Sequence, residues 1–263
     1  GSLVATGVHA SMSAEAVNEW GWRLPFILGG LFGFVTMYLR RWLHETPVFT
    51  EMQERQQLAE ELPIKTVVKD HLPSVTISMA VTWVLTAAIV VTILMTPALL
   101  QKMAGLDPQQ SLEANSLAIV ALFIGCVISG SLADRFGNGP IMAIFSVGLA
   151  ISYAVFFSLM LNDTSLLFVL YPVVGFFAGL VGVVPSIAVK SFPAAIRFTG
   201  LSFSYNLAYA IFGGTTPLVV SMLLGYNPLA PVYYVSAVAL IGVIASLAVI
   251  RFRRQLDLSP LPA

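Results

Sequence analysis

An all-α, polytopic membrane helical bundle with seven spans is the fold class this sequence predicts. Three observations carry that prediction. The first is where charge is missing: residues 24–39, 72–101, 114–133, 136–162, 164–189 and 198–250 contain no Asp, Glu, Lys, Arg or His. A helix of about 20 apolar residues crosses a hydrocarbon core about 30 Å thick, and charge inside that core is costly. The second is composition: 57% of the 263 residues are hydrophobic and only 10% are charged, whereas about a quarter are charged in a soluble domain. The third is the asymmetry of the basic residues. Counted on alternate sides of the spans, Arg40, Arg41, Arg55, Lys65, Lys69, Arg135, Lys190, Arg197, Arg251, Arg253 and Arg254 share one side, and only Arg23 and Lys102 fall on the other. Basic residues concentrate on the cytoplasmic side. The N-terminal end of the chain is therefore expected outside and the C-terminal tail in the cytoplasm.

The spans are expected at 24–41, 75–100, 115–133, 140–161, 165–189, 198–224 and 230–250. Trp20, Trp22 and Trp42 flank the first as interfacial aromatics, and Arg23 and Arg40 extend its short apolar run by snorkelling. Asn162-Asp163-Thr164-Ser165 forms a polar turn with a candidate N-cap between the fourth and fifth spans. Gly225-Tyr226-Asn227-Pro228 divides the longest uncharged run into two helices. Pro97, Pro172, Pro185 and Pro217 interrupt spans, and Gly175 and Gly179 form a small-xxx-small strip suited to close helix contact.

Between the first two spans lies the longest soluble stretch. Thr46-Pro47 resembles an N-cap followed by proline in the first turn, opening a polar helix from Phe49 onward. After Pro63, Ile64, Val67, Val68 and Leu72 predict a short amphipathic helix at the membrane surface. Residues 1–7 read as the last apolar turn of an earlier helix, so the chain is expected to be the C-terminal part of a longer protein. The resulting division is 1–41, outside loop and a span of a preceding bundle; 42–74, cytoplasmic linker; 75–250, a six-helix transmembrane bundle; and 251–263, cytoplasmic tail.

Several functions are disfavoured. Formal net charge is zero, which gives no footing for nucleic acid. Cys126 is the only cysteine, and His9, His44 and His71 lack metal-ligand spacing. No metal and no cofactor is expected. An intramembrane enzyme needs a nucleophile–base pair or a metal cluster within its spans, and none is present. A channel usually carries rings of charge or a carbonyl filter, which are likewise missing.

Gly130-Ser131-Leu132-Ala133-Asp134-Arg135-Phe136-Gly137 stands between the third and fourth spans. It matches G-x-L-x-D-R-x-G, the cytoplasmic-loop signature of the major facilitator superfamily, and the chain resembles that family. Gly130 suits close approach of a neighbouring helix. Asp134 places a carboxylate at the cytoplasmic mouth, where a helix N-terminus or an Arg can pair with it. Arg135 supplies a forked cation, and Gly137 permits a sharp reversal. These four form the candidate gating motif. Asn138 and Gly139 stand where the family usually has two basic residues.

A narrower resemblance is to the metabolite:proton symporter family. It rests on Gly21-Trp22-Arg23-Leu24-Pro25-Phe26, the pair Arg40-Arg41, and Glu45-Thr46-Pro47-Val48-Phe49. It rests also on Phe192-Pro193-Ala194-Ala195-Ile196-Arg197-Phe198-Thr199-Gly200, Tyr205-Asn206 and Phe212-Gly213-Gly214-Thr215-Thr216-Pro217-Leu218. Lys190-Ser191 departs from the acidic residue common before that Phe-Pro. The resemblance implies helices six to twelve of a twelve-helix secondary active transporter in a plasma membrane, the inner membrane of a bacterium. It would take up a small polar metabolite, an organic acid or osmolyte, with protons, by alternating access. The implied partners are that solute, protons, the lipid bilayer and the N-terminal bundle absent from this chain. Efflux or uniport by the same fold is the alternative, and a channel a more distant one.

Residues lining such a path must be polar or aromatic and share a helix face within a span. Trp83 with Thr86, Tyr171, and Tyr205 with Asn206 and Tyr209 are the candidates. Hydrogen bonding to neighbouring helices is the competing role for each. An Asn in hydrocarbon is expected to face the bundle interior. No carboxylate or His lies within an expected span, so a proton-carrying acid belongs to the other bundle, and so does any cation that binds a carboxylate.

Overall fold

The computed structural model describes residues 11–42 and 63–252, and the chain divides into two compact units, Gly1–Gln57 and Leu58–Ala263. Among the described residues seven helices are long and apolar enough to cross a membrane: Gly21–Leu39, Leu72–Ala104, Pro108–Phe136, Asn138–Met160, Leu167–Lys190, Ala194–Leu224 and Ala230–Arg251. They are called the first to seventh spans below. The described residues contain no strand, so the all-α class holds. The helix end at 1–7, the Thr46-Pro47 cap, the polar helix after it, the Glu45–Phe49 element and the tail from 253 lie outside the described residues.

In the first unit, Ser13 caps a short helix, Ala14–Glu19, by accepting a bond from the Ala16 amide. The Arg23 guanidinium donates to the Glu19 carbonyl at 2.7 Å and lies 4.4 Å from the Trp22 ring centroid. No side chain of Leu24–Leu39 is buried within this unit, and Phe26, Phe32, Phe34 and Met37 are exposed. An apolar surface of this kind is stable only against lipid or other helices.

The second unit holds the other six spans. The second and third run past their expected ends. Gly105, at φ 64°, closes the second span with a left-handed residue. Asp107 then caps the third, accepting from the Gln109 and Gln110 amides, with Pro108 in the first turn. At 29 residues this helix is about 44 Å long, more than a hydrocarbon core needs. Glu113 and Asp134 therefore sit on its projecting ends. Between the fourth and fifth spans, Asp163 accepts from the Ser165 amide at 2.9 Å, a turn-forming bond rather than a helix cap.

Spans three and five pack through small residues. A Cβ added to Gly175 would stand 2.0 Å from the Ala118 carbonyl oxygen, and one on Gly182 would stand 2.6 Å from that of Cys126. Between lipid-solvated helices such close backbone approach replaces the hydrophobic effect as the source of cohesion. Behind this contact lies a core of Phe145, Tyr153, Phe156, Phe157 and Tyr171.

The prolines mark the breaks. Ala87–Met95 is π-helical ahead of Pro97, and Tyr209–Gly213 is π-helical ahead of Pro217. Proline removes a ladder donor, and threonine hydroxyls beside these turns add bonds to carbonyls of their own helix. Thr96 Oγ1 donates to the Val91 carbonyl at 2.8 Å, and Thr215 Oγ1 to the Ile211 carbonyl at 2.6 Å. The fifth span passes through a 3₁₀ turn, Gly179–Gly182, before Pro185 opens its last helix.

Pro63–Asp70 forms the expected short helix. Its Val67 is fully buried in a cluster with Val75, Phe192 and Ile196, while Ile64 and Val68 remain exposed. The apolar face is thus divided between the bundle and its surroundings. The same cluster joins the start of the second span to the turn between the fifth and sixth. Asn138 Nδ2 donates to Ser186 Oγ at 2.9 Å, and Gly139 packs against Ile250. These contacts bring Lys69, Arg135, Lys190, Arg197 and Arg251 to one end of the bundle.

Candidate substrate path and motif loop

Trp83 lies about a third of the way along the second span and is half-buried. Its indole Nε1 donates to the Tyr234 hydroxyl at 2.9 Å, and its ring stacks on Phe212 with centroids 4.0 Å apart and planes 4° from parallel. The Tyr234 hydroxyl in turn lies 2.6 Å from Thr216 Oγ1. Each polar tip in this group has a partner, as a site within hydrocarbon requires.

Tyr205 and Tyr209 pair along one face of the sixth span, their centroids 4.8 Å apart. The Tyr209 ring passes close to Gly213: an added Cβ there would meet Tyr209 Cδ1 at 3.4 Å and Thr86 Cγ2 at 4.0 Å. Trp83, Thr86 and Tyr209 therefore gather where the π-helical turn of span six meets the α-helical first half of span two, with Tyr205 beside them. Thr86 is buried and its hydroxyl donates to the Thr82 carbonyl at 2.9 Å. Asn206 does not turn to the interior of its own bundle. It is exposed, with Nδ2 donating to the Ser202 carbonyl at 2.7 Å, a local bond that satisfies part of the amide without any neighbouring helix.

Tyr171 belongs to a different group. It is fully buried, stacked on Phe156 at 4.7 Å, with its oxygen 2.8 Å from the Thr92 carbonyl and 2.7 Å from the Asn115 Oδ1 position. One phenolic proton cannot serve two carbonyl-type acceptors. With Thr92 taking it, an Asn115 amide rotated by half a turn donates to the phenol oxygen and both bonds are made. Tyr153 meets Thr96 Oγ1 at 3.1 Å in the same region. Here the competing role, bonding between helices, is the one the geometry displays.

Sequence reasoning missed Phe212, Tyr234 and Thr216. Phe212 follows Tyr209 by three residues, a helical-face spacing that was available as a signal. Nothing local pointed to Tyr234 on the seventh span.

In the motif loop, Gly137 has φ 95° and ψ 151°, outside the range a side chain favours. Its amide donates to the Ala133 carbonyl at 2.8 Å, ending the third span. Gly130 does not carry a close helix approach: a Cβ there would meet nothing within 4 Å. That role on the third span falls to Gly125, because it lies on the face turned to the fifth. Asp134 is exposed, and among the described residues no hydrogen bond or ion pair reaches it. Arg135, also exposed, lies over the Phe136 ring at 5.5 Å.

Residues 1–201 match the family model of the Major Facilitator Superfamily. A citrate-proton symporter of Klebsiella pneumoniae is 29% identical over 91% of this chain and 54% of its own length. The glycine betaine/proline/ectoine/pipecolic acid transporter OusA of Dickeya dadantii is 28% identical over 94% of this chain and 52% of its own length. The chain spans about half the length of the curated relatives it matches. No solved structure gives a significant match.

Proposed function

Since this chain belongs to the major facilitator superfamily, we propose that it forms the later half of a metabolite:proton symporter. The transporter takes up a small polar solute by alternating access. The division proposed is 1–41, 42–74, 75–250 and 251–263: a final span of the first bundle, a linker, the second bundle and a tail. The end that carries Lys69, Arg135, Lys190, Arg197 and Arg251 faces the cytoplasm of a bacterial cell, across its inner membrane. The described part of the chain then begins outside, and the tail lies inside.

The observation that carries this reading is the cluster of Trp83, Tyr205 and Tyr209, with the buried Thr86, where the wide turn of span six meets span two. Asn206 stands beside it on a surface its own bundle leaves uncovered. Together they make an aromatic and amide wall suited to an osmolyte or organic acid. Tyr171 supports the second span from behind that wall. The mid-span residues hold no carboxylate, His, Lys or Arg, so protonation and any neutralising of a substrate carboxylate fall to the other bundle. Gly130, Asp134 and Arg135 on the last turns of the third span, with Gly137 at its cap, form the cytoplasmic gate.

Uptake of radiolabelled proline, betaine and citrate by cells expressing the full-length transporter tests this. Accumulation abolished by a protonophore is the expected result. Uptake indifferent to the proton gradient reduces the assignment to uniport, and export of preloaded solute reverses it. Cysteines placed at 134 and 251 should be labelled from the same, cytoplasmic side.

A further inference from the structure

The Trp83 indole can only donate, so the Tyr234 oxygen accepts its bond. The same hydroxyl lies 2.6 Å from Thr216 Oγ1, a pair in which either oxygen can donate. A residue on the second span is thus held by one on the seventh, which is held by one on the sixth. The consequence is geometric: with its edge pinned, the indole lies parallel to Phe212 at 4.0 Å. Without that anchor the ring keeps the stacking but loses the bond that fixes its rotation. Thr216 is fully buried and follows Gly213, the end of the π-helical turn, by three residues. The hydroxyl paired with Tyr234 therefore sits in the first turn of the regular helix that follows the π-helical turn.

We propose that Tyr234 and Thr216 are positioning residues for solute recognition, which set the orientation of the Trp83–Phe212 pair without touching the solute. This rests on the transport reading above. It extends that reading to the seventh span, which supplies none of the candidate path residues.

The test is uptake kinetics of the full-length transporter in proteoliposomes under an imposed proton gradient, with whichever of radiolabelled proline, betaine and citrate it takes up best. Tyr234→Phe should raise KM about fivefold, the scale of one lost hydrogen bond, with the maximal rate held within about twofold. Thr216→Val should shift KM in the same direction and Thr216→Ser should restore it. In a Trp83→Phe background, Tyr234→Phe should change KM by less than about 1.5-fold, because residues acting through one another are not additive. An unchanged KM in Tyr234→Phe overturns the positioning role and leaves the transport reading standing. So does an equal shift with and without Trp83, or a lost maximal rate at constant KM. Failure of the wild-type protein to take up any of the three solutes overturns both.

Discussion

A Cβ added to Gly179 would stand 2.4 Å from the carbonyl carbon of Gly125: the third and fifth spans meet backbone against backbone. Ser129 Oγ donates to the Gly179 carbonyl at 2.8 Å across the same contact. Backbone cannot yield as a flexible side chain does, so Gly179→Ala must separate the two helices. A loss of at least about 2 kcal/mol in folding stability is expected, at the upper part of the range for overpacked cores. Gly130→Ala, which meets open space inside a helix, should raise stability by about 0.5–1 kcal/mol. Thermal melts of both variants in one detergent check the contrast.

Among the described residues nothing bonds to the exposed Asp134 carboxylate, so Asp134→Asn should alter stability by no more than about 0.5 kcal/mol, as exposed substitutions do. As part of the gate it should nonetheless lower the maximal rate of uptake. Parallel melting and transport measurements separate the two effects.

Removing the Tyr171 hydroxyl leaves Asn115 and the Thr92 carbonyl short of one partner in a buried site. Tyr171→Phe is expected to cost about 1 kcal/mol, the scale measured for hydrogen bonds between spans. It should leave KM for the transported solute near the wild-type value. A raised KM at unchanged stability would instead place Tyr171 against the solute.

Asp163 accepts from both the amide and the hydroxyl of Ser165, and these bonds hold its carboxyl below the ordinary carboxylate range. A lowered folded pKa stabilises the turn fully above the unfolded value, about 3.9, and the contribution is lost as pH falls through the folded value. Asp163→Asn keeps an acceptor for the Ser165 amide and removes the titration. Amide protection at 162–165, taken relative to the intrinsic exchange rate at each pH, should fall on acidification below about pH 4 in the wild type and stay constant in that variant.

The spans were legible because lipid imposes a local rule on every residue that crosses it. Their helical ends were less so: hydropathy reads the thickness of hydrocarbon, and polar turns such as the one from Asp107 to Glu113 continue a helix beyond it. Gly175 and Gly179 announced a contact, yet their partners Ala118 and Gly125 did not, since a small residue has no sequence mark of what it faces. Gly130 shows the reverse, a motif glycine whose added Cβ would meet nothing among the described residues. For the candidate path, Trp83 and the two tyrosines followed from helical spacing. Tyr234 did not, because its bond to Trp83 joins residues 151 positions apart. Pro97 and Pro217 signalled interruption, but whether a kink or a widened turn results depends on how neighbouring helices pack around the turn, which is not local in sequence.

The wide turn at Tyr209–Gly213 bears on how this helix tolerates changes in length. A π-helical turn accommodates a surplus residue relative to an α-helix. Excising one position there would let the segment revert to regular winding, with Tyr205 on one flank and Thr216 on the other keeping their present bearings. The same excision elsewhere in the helix would rotate everything beyond it by about 100° and exchange its lipid and interior faces. Shortening by a single residue is therefore an admissible variation at this one turn and a destructive one along the rest of its length.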